Sequence, residues 1–582
     1  MKKKILTGLL AVLLLLGTVA CKTGETTPAP KPTTEAPKKT EAPEKTEAPE
    51  KTEAPASEKE TDAPATEKET DAPATEKETE AEPPAGDRIE ISWTGLSYYA
   101  IANPDNAEFE KMIEDKHNVD LVQIFLEPSR YNELLGLRFA DDTLPDVFRC
   151  SFSELQNFVQ QQLIMEIKFS DIQTYAPHMY EDMEEQLVYD PNVLKYGIVN
   201  GKNYAITHMN PDVVYRQPVI WRTDWLEAGG FDMPETLEEF EEALYFFSDD
   251  PDGNGEKDTY GLSTDGLQAI WGAFGVLPKQ WMVQEDGTVA WGGILPGMRD
   301  CLELLAKWYA DGVISPEFST GFEAMSENQG GYWAISQPFT NGQIGMTTHG
   351  MYYHWNAPYY EGQEWTSANG KLFQELQAPN GGAYDFGPPA VGADGQTGMT
   401  AGSPAQQAIV FSYKVEDDPA KYQRILEIHD AFCDDFDYYM TIRFGNEGED
   451  WEYDENGMKV SLIPSDATDE QRVEGRGGGL WYMTYQPMDY FRQVNKDQFK
   501  LADQIVADAT VMDPIRGTLP SDATIAGELM KMQNMVFVDI ITGKQPIEAF
   551  DTFVDNWNAQ GGAQRTQEAN DYYQNIESMT AE

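Results

Sequence analysis

The feature that most constrains the fold is an abrupt change of composition at residue 87. Residues 22–86 consist almost entirely of Lys, Thr, Glu, Ala and Pro, in near-repeats such as KTEAPE, and they contain no aromatic residue. Such a segment cannot bury enough apolar surface to offset the conformational entropy of an ordered chain. The sequence therefore predicts a disordered linker over 22–86 and a folded part over 87–582, which is rich in aromatic residues and Met.

The N-terminus carries the pattern of an export signal. Three lysines follow the initial Met, and an almost wholly apolar run covers 5–16. This run is too short to span a bilayer comfortably, but it suits the apolar region of a secretory signal. The small residues before Cys21 resemble the lipobox of bacterial lipoproteins, in which the cysteine is acylated, and two acyl chains give stable anchoring. The alternative is cleavage after Ala20 and free secretion.

No later segment offers 18 consecutive apolar residues, so nothing after the signal is expected to span a membrane. The sequence therefore predicts a protein held at the extracellular face of the cell membrane by the lipid on Cys21.

Charge and cysteine content argue against several classes of partner and site. The formal net charge is −57, and residues 87–582 carry almost all of it. Such an acidic body repels phosphate backbones, so no nucleic acid partner is expected, and polyanionic ligands are disfavoured. Cys150, Cys301 and Cys433 are widely spaced and form no CxxC pair. Neither a disulfide framework nor a zinc site is predicted.

The start of the folded part alternates strand-like and helix-like segments. The pattern predicts three strands with two intervening helices, over 88–94, 105–116, 119–125, 131–139 and 144–148. This alternation is typical of an α/β lobe with a largely parallel sheet, and a chain of this length exceeds one core, so at least two lobes are expected. Ligands of such sheets bind beyond the carboxyl ends of the strands. Residues 93–99 and 149–152 are therefore expected at a crevice, although their aromatic side chains would also suit the core.

Further along, the apolar spacing predicts helices that serve packing. A strand over 218–222 precedes a short helix that ends at a glycine pair, and Thr236 with Glu239 forms a capping box at the start of the next helix. Amphipathic helices are also predicted over 298–311 and 547–557.

The sharpest local motif is the run DDPDGNGEKDTYG. It places oxygen ligands at alternate positions of a tight loop, where they can converge on a hard cation of the size of Ca²⁺. The predicted ligands are the side chains of Asp250, Asp252, Asn254 and Asp258 and the carbonyl oxygen of Glu256. Gly261 stands where an EF-hand has its bidentate Glu, so the loop is EF-like and any bound calcium would be structural. The alternative is an acidic turn without a metal.

Signatures of catalysis are missing from the sequence. It contains no GxxxxGK[ST], HExxH or GxSxG motif and no GxGxxG after a strand. Aromatic residues are abundant instead, and several lie in turn-rich contexts, among them Trp271, Tyr352, Trp355 and Trp481. Sugar rings stack on such side chains, although core packing is the alternative for each. No enzyme is predicted, and the rival hypothesis is a surface-anchored polysaccharide hydrolase or lyase.

Eight phrases, in order, resemble the family 1 extracellular solute-binding proteins, in the lipoprotein branch that serves oligosaccharide importers. They are LPDVF, NGKNYAI, WRTDWLEAGGFDMPETLEEF, DPDGNGEKDTYGL, YADGVISPEF, NGQIGMTTHGMYYHW, RFGNEGEDWEYDENG and ITGKQPIEAFDTFVDNWNAQGG. The resemblance implies a two-lobed α/β fold, of the kind found in periplasmic binding proteins, with hinge crossovers. The approximate lobes are 87–208 with 385–430, and 212–384 with 440–582. It also implies a monomer that delivers its ligand to the transmembrane subunits of an ABC permease.

The resemblance also implies a set of ligand-binding residues. Stacking aromatics of the second lobe correspond to Trp271 and Tyr352, and a late segment adds Trp481. The remaining candidates are Tyr98, Tyr99 and Arg149 at strand ends of the first lobe, His208 and Asn210 after the first crossover, and Trp355. The acidic loop is similar to the calcium site of alginate-binding relatives. Because the body is so acidic, a neutral oligosaccharide is expected rather than a polyuronate.

Replacing Cys21 with Ser removes the thiol that the lipid would modify. The variant should therefore leave the membrane fraction and collect in the medium, as measured by immunoblotting of both fractions. A variant that stays with the membrane would contradict the assignment of Cys21 as the anchor.

Overall fold

A computed structural model describes residues 87–96, 108–127, 130–188, 190–207, 218–319, 335–350, 352–355, 368–400, 407–453, 459–462, 485–494 and 509–579. All of them belong to one unit, Glu80–Glu582. The predicted signal, Cys21 and the linker lie outside the described residues, as do five of the predicted site residues, Tyr98, Tyr99, His208, Asn210 and Trp481.

The strands are β1 Ile89–Leu96, β2 Val119–Leu126, β3 Val147–Ser151, β4 Ile198–Val199, β5 Lys202–Asn203, β6 Ile206–Thr207, β7 Val219–Arg222, β8 Tyr260–Leu262, β9 Trp281–Val283, β10 Val289–Trp291, β11 Ile344–Thr347, β12 Tyr384–Gly387, β13 Met399–Thr400, β14 Gln407–Phe411, β15 Trp451–Tyr453, β16 Lys459–Ser461 and β17 Thr510–Val511.

The helices are α1 Glu108–His117, α2 Tyr131–Ala140, α3 Phe152–Gln160, α4 Phe169–Tyr175, α5 Pro177–Glu185, α6 Thr223–Gly229, α7 Leu237–Phe247, α8 Gln268–Trp271, α9 Pro296–Ala310, α10 Gln337–Thr340, α11 Tyr352–Trp355, α12 Ala368–Leu376, α13 Pro419–Asp434, α14 Phe436–Phe444, α15 Met488–Val494, α16 Gly527–Ile541, α17 Ala549–Trp557 and α18 Ala563–Ser578. None of these helices is both long and apolar enough to cross a bilayer.

The first sheet has the strand order β2-β1-β3-β14-β6. β1 pairs in parallel with β2 and β3, whereas β14 is antiparallel to both β3 and β6. Helices cover it, and its core includes the fully buried side chains of Ile91, Phe148, Ile409 and Leu426. This sheet and its core form what we term the first lobe, and the α/β pattern predicted for it is confirmed.

The second sheet has the order β12-β7-β11-β8, with β7 antiparallel to its neighbours and β8 parallel to β11. Successive side chains of a strand point to opposite faces, so β7 serves two hydrophobic clusters. Val219 and Trp221 belong to the larger one, the second core, and Ile220 to a smaller third cluster with Phe339 and Trp355. This sheet and both clusters form the second lobe.

The strand directions fix where the chain passes between the lobes. β6 runs with β3, so it ends at the edge where β1, β2 and β3 also end, and β14 begins there. In the second sheet, β8, β11 and β12 end at the edge where β7 begins. The connections from β6 to β7 and from β12 to β14 therefore both join these two edges. The predicted two-lobed fold with crossovers is confirmed.

The lobe boundaries differ from the predicted ones in two places. β12 pairs with β7, and Ala390 and Met399 belong to the second core, so the stretch up to residue 400 lies in the second lobe. Conversely, α14, Trp451 and α15 contribute to the first core. Both differences arise because the partner of a strand or helix is distant in sequence.

Two local predictions are confirmed by contacts. At the start of α7, the Glu239 amide donates to Thr236 Oγ1 at 3.3 Å, and the Thr236 amide donates to Glu239 Oε2 at 2.9 Å. This is the predicted capping box. The amphipathic pattern over 547–557 corresponds to α17, which buries Phe550, Phe553 and Trp557.

Candidate functional site

The carboxyl ends of β8 and β11 lie side by side in the second lobe, because these strands are parallel neighbours. Asp265 follows the end of β8 by three residues and begins a single 3₁₀ turn, and Thr348 directly follows β11. The Thr348 hydroxyl donates a hydrogen bond to the backbone carbonyl of Asp265. The two strand ends are thereby fastened together at the edge where the crossovers meet the second lobe.

The Asp265 side chain is buried and makes no hydrogen bond to any residue that the structure describes. Only 3% of the residue is exposed, and neither carboxyl oxygen has a hydrogen-bond partner among those residues. Burial disfavours the charged form and raises the pKa of Asp265 to about 8, while the nearby charge of Lys279 lowers it in part. The carboxyl is therefore largely protonated at neutral pH when no ligand is bound.

Lys279 is the charged residue that acts on this carboxyl. It is exposed to solvent, and crowding by the surrounding protein lowers its pKa, while the charge of Asp265 partly offsets this effect. Lys279 therefore places a positive charge near Asp265.

Gln280 and Trp281, the two residues after Lys279, contact Val511 and Asp513 in the C-terminal part of the chain. Gln280 Nε2 donates to the Val511 carbonyl at 3.2 Å, and the Trp281 amide donates to Asp513 Oδ2 at 3.3 Å. Burial raises the pKa of Asp513 to about 6, although backbone amides and the charge of Arg516 favour its ionised form. Gln280 Oε1 is buried and has no partner in the described part of the chain.

Arg516 joins this region to the first lobe. Its positive charge lies close enough to the Tyr196 hydroxyl to counter the rise in pKa that burial causes there, and the same hydroxyl donates to Asp190 Oδ2 at 2.9 Å. Tyr196 belongs to the first core, whereas Trp281 belongs to the second. The Nε and Nη2 atoms of Arg516 are buried and lack hydrogen-bond partners among the residues described. Arg516 therefore lies where the two lobes meet and keeps two donors unused.

A fourth unpaired group belongs to Thr207, the last residue of β6, which precedes the crossover to the second lobe. Thr207 is 1% exposed, and its hydroxyl has no partner within the described ranges. Buried polar atoms are normally hydrogen-bonded, and each one left unpaired costs about 1–3 kcal/mol. Both hydrogen-bond donors and hydrogen-bond acceptors occur among these unpaired groups, which belong to Thr207, Asp265, Gln280 and Arg516.

Three of the candidates predicted from sequence lie in well-packed positions. Trp271 ends α8 and is 5% exposed in the second core. Trp355 is fully buried, donates to the His349 carbonyl at 2.6 Å and packs edge-on against Phe339 and Tyr384. Arg149 lies in the middle of β3, 7% exposed, and its charge adds to the burial that lowers the pKa of His429 to about 3.

Tyr352 begins α11 directly beyond β11, and its side chain lies outside the described residues. Its role as a stacking residue stays a prediction, as do those of the other eight candidates. The structure adds Asp265, Lys279 and Arg516, which sequence reasoning missed. The available signal was the position of Asp265 just after a strand, in the phrase STDGL.

The acidic loop folds around its own side-chain oxygens. Oδ2 of Asp250 accepts from the Gly255 amide at 3.0 Å, Oδ1 of Asp252 accepts from the Asn254 amide at 3.3 Å, and Oδ1 of Asn254 accepts from the Glu256 amide at 2.6 Å. The other oxygen of Asp250 is buried and has no hydrogen-bond partner in the described ranges. Within the described residues, no three His, Cys, Asp or Glu side chains are grouped to hold a metal ion. The donor types and the unpaired oxygen suit a hard cation.

Two proteins of Bacillus subtilis (strain 168) are similar to the chain in sequence, and no family model matches it. Lipoprotein LipO is 28% identical over 228 residues, which cover 37% of this chain and 43% of LipO. The polygalacturonan/rhamnogalacturonan-binding protein YtcQ is 22% identical over 513 residues, which cover 84% of this chain and 92% of YtcQ. The chain thus matches less than half the length of LipO but nearly all of YtcQ.

A solved structure shows the same fold. It is the S. pneumoniae ABC-transporter substrate binding protein FusA, as an EF-hand mutant in complex with fructo-nystose. It matches with a TM-score of 0.56 at 15% identity, covering 85% of this chain and 100% of that chain. The chain thus shares the fold of this substrate-binding protein, and the fold that the family resemblance implied is confirmed.

Replacing Asp265 with Asn removes a group whose pKa is raised on folding. The folded protein binds a proton at Asp265 up to about pH 8, whereas the unfolded chain releases it near pH 4. The stability of the wild type should therefore fall relative to that of Asp265→Asn as pH rises from about 5 to about 8, by up to roughly 1.4 kcal/mol per pH unit.

Urea unfolding of both proteins at several pH values measures this difference. Asp182 and Asp513 also have raised pKa values, to about 6, but they are present in both proteins and cancel. Parallel stability curves would show that Asp265 does not titrate in this range.

Proposed function

We propose that the chain is the substrate-binding lipoprotein of an ABC importer, which captures an oligosaccharide between its two lobes and delivers it to a membrane permease. The observation that carries this proposal is a set of unpaired buried polar groups, of which Thr207 and Asp265 lie at the sheet edges that the crossovers join. They occur in a fold shared with a substrate-binding protein. A binding protein needs such groups, since its ligand supplies the missing hydrogen bonds.

A neutral oligosaccharide fits the site best. Hydroxyl groups both donate and accept, so they can pair with Asp265 and with the free donors of Arg516. The formal charge of −57 disfavours a polyuronate through long-range repulsion. The name of YtcQ refers to polygalacturonan and rhamnogalacturonan, and FusA is in complex with fructo-nystose, so both classes of glycan belong in a ligand screen.

The proposal includes no catalytic step. The alternative of a surface-anchored hydrolase or lyase rested on features that a binding protein shares, namely the tether, the acidity and the aromatic content. The similar proteins YtcQ and FusA are described as binding proteins. No contact in the described residues favours the catalytic alternative.

The proposed location is the extracellular face of the cell membrane. It is supported by the signal-like N-terminus with Cys21, and by similarity to a protein that is itself described as a lipoprotein. The linker over 22–86 would separate the binding domain from the lipid. This arrangement would let the domain collect ligand and still reach the permease.

We also propose that the acidic loop binds a structural Ca²⁺ ion. The side chains of Asp250, Asp252, Asn254 and Asp258 and the Glu256 carbonyl would hold it. The unpaired oxygen of Asp250 supports this assignment, as does the mention of an EF-hand in FusA. The ion would neutralise a cluster of like charges and fasten the loop that leads from α7 to β8.

Adding Ca²⁺ to chelator-treated protein should raise its melting temperature, because a ligand that binds only the folded state stabilises it. A hundredfold excess over the dissociation constant contributes about 2.7 kcal/mol. Asp252→Ala should abolish the rise. Asp286→Ala is a matched control, since Asp286 lies in an exposed turn of the same lobe and pairs locally with Thr288. An unchanged melting curve in the wild type would leave an acidic turn without a metal.

Ligand binding is tested by titrating the purified protein with fructo-nystose, oligogalacturonides and rhamnogalacturonan oligosaccharides, with tryptophan fluorescence and product analysis as readouts. We expect saturable binding without turnover. Trp271→Ala should weaken binding at least about thirtyfold, since truncating a buried anchor costs on the order of 2 kcal/mol.

Trp291→Ala is the matched control for loss of core packing. Trp291 is 6% exposed in the second core, against 5% for Trp271. Both variants should lose about 3–5 kcal/mol of stability, but only Trp271→Ala should lose affinity. Equal affinity in the two variants would show that Trp271 has a purely structural role. Turnover of any glycan would overturn the binding proposal.

A further inference from the structure

We propose that the Asp265 carboxylate accepts hydrogen bonds from two hydroxyl groups of one sugar unit and is the polar anchor of the second lobe. This inference rests on the proposed function, since it names how one residue of the same site holds the ligand. It assigns a role to a residue that neither the sequence motifs nor the comparisons identify.

Other buried carboxylates of this chain show what a structural acid looks like. Asp182 accepts from Tyr485 Oη at 2.6 Å, from Gln186 Nε2 at 2.7 Å and from the Met488 amide at 2.7 Å. Asp146 accepts from Ser92 and from Lys421 Nζ at 3.0 Å. Each of these side chains closes a network and is satisfied by the protein itself.

Asp265 differs because its side chain closes no such network. Both of its oxygens are buried without hydrogen-bond partners among the residues described, at 3% exposure of the residue. An unpaired buried polar group lowers stability, and the nearby charge of Lys279 offsets only part of this loss. A ligand that supplies two donors would give a further reason for a carboxyl here.

The main chain around Asp265 is held in place before any ligand binds. Thr348 fixes its carbonyl, and Gly266 lies so close to Leu262 that an added Cβ would stand 2.9 Å from the Leu262 Cβ. The acceptor is therefore positioned by the ends of β8 and β11. A fixed acceptor reduces the entropy that binding would otherwise lose.

The surroundings select hydroxyl groups over other partners. The neighbouring Lys279 ammonium disfavours a cation at this point, since like charges repel. A ligand carboxylate supplies no hydrogen-bond donor, and it would repel Asp265 once that carboxyl is ionised. Neutral hydroxyl groups donate to a carboxylate without either repulsion, and adjacent hydroxyls of a sugar ring can reach both oxygens.

Binding should also displace a proton. In the empty site burial favours the protonated carboxyl, against the charge of Lys279. Two donated hydrogen bonds favour the ionised form, so the ligand should lower the pKa of Asp265 and release a proton near pH 7. A side chain that only packs in the core would release none.

The test is isothermal titration of the purified protein at pH 7, in two buffers with different ionisation enthalpies, using fructo-nystose, trigalacturonate and rhamnogalacturonan oligosaccharides. For the best of these ligands, the wild type should release part of a proton. Asp265→Asn should bind at least thirtyfold more weakly and release none. Asp265→Leu should bind as weakly and melt at a higher temperature than the wild type, because it removes the unpaired buried group.

Asp182→Asn is the matched control, since it alters a buried carboxyl with a raised pKa on α5, the helix that contributes Met179 and Met183 to the first core. Its affinity and proton release should equal those of the wild type. Unchanged affinity in Asp265→Asn and Asp265→Leu, with a wild type that binds, overturns the inference and leaves the proposed function intact. A wild type that binds none of the three ligand classes overturns the proposed function and the inference with it.

Discussion

The antiparallel insertion of β7 between β12 and β11 is the interaction on which the second lobe depends. Val219 and Trp221 face the second core, and Ile220 faces the third cluster, so the strand unites both. Because β7 runs against its neighbours, it must begin at the edge where they end. The crossover from the first lobe therefore arrives beside the ends of β8 and β11. One strand direction thus decides which residues can form the crevice.

The unpaired polar groups at this edge lower the stability of the empty protein, and the aromatic cores offset that loss. Trp221, Trp308 and Trp557 are at most 1% exposed, and burying a large apolar side chain contributes roughly 1.5–3 kcal/mol. The second lobe is therefore stable enough to keep Asp265 and Gln280 unpaired. Stability and recognition are thus supplied by different parts of the second lobe, with the first coming from side chains of its core and the second from Asp265 at the edge of its sheet.

The sequence predicted the local structure well, because local structure is encoded by spacing. The strand and helix pattern of the first lobe and the capping box of Thr236 depend only on neighbouring residues. The lobe boundaries depend on pairing between distant segments, and so the move of β12 to the second lobe could not be read from its own residues. The apolar pattern of Trp355 also could not reveal its burial, because Phe339 and Tyr384 come from other elements.

Asp265 escaped prediction for a related reason. In sequence, STDGL is an ordinary turn, and an aspartate in a turn is normally exposed. Burial and the absence of polar partners emerge only when β8 and β11 pair and Thr348 closes over the turn. The hydrogen bond from Thr348 also suits Asp265 to ligand binding. A carboxyl that is held at a rigid strand end can accept hydrogen bonds from a ligand without rearrangement of the main chain. The tertiary contacts that hid the residue from sequence analysis are thus the contacts that would fit it to hold a ligand.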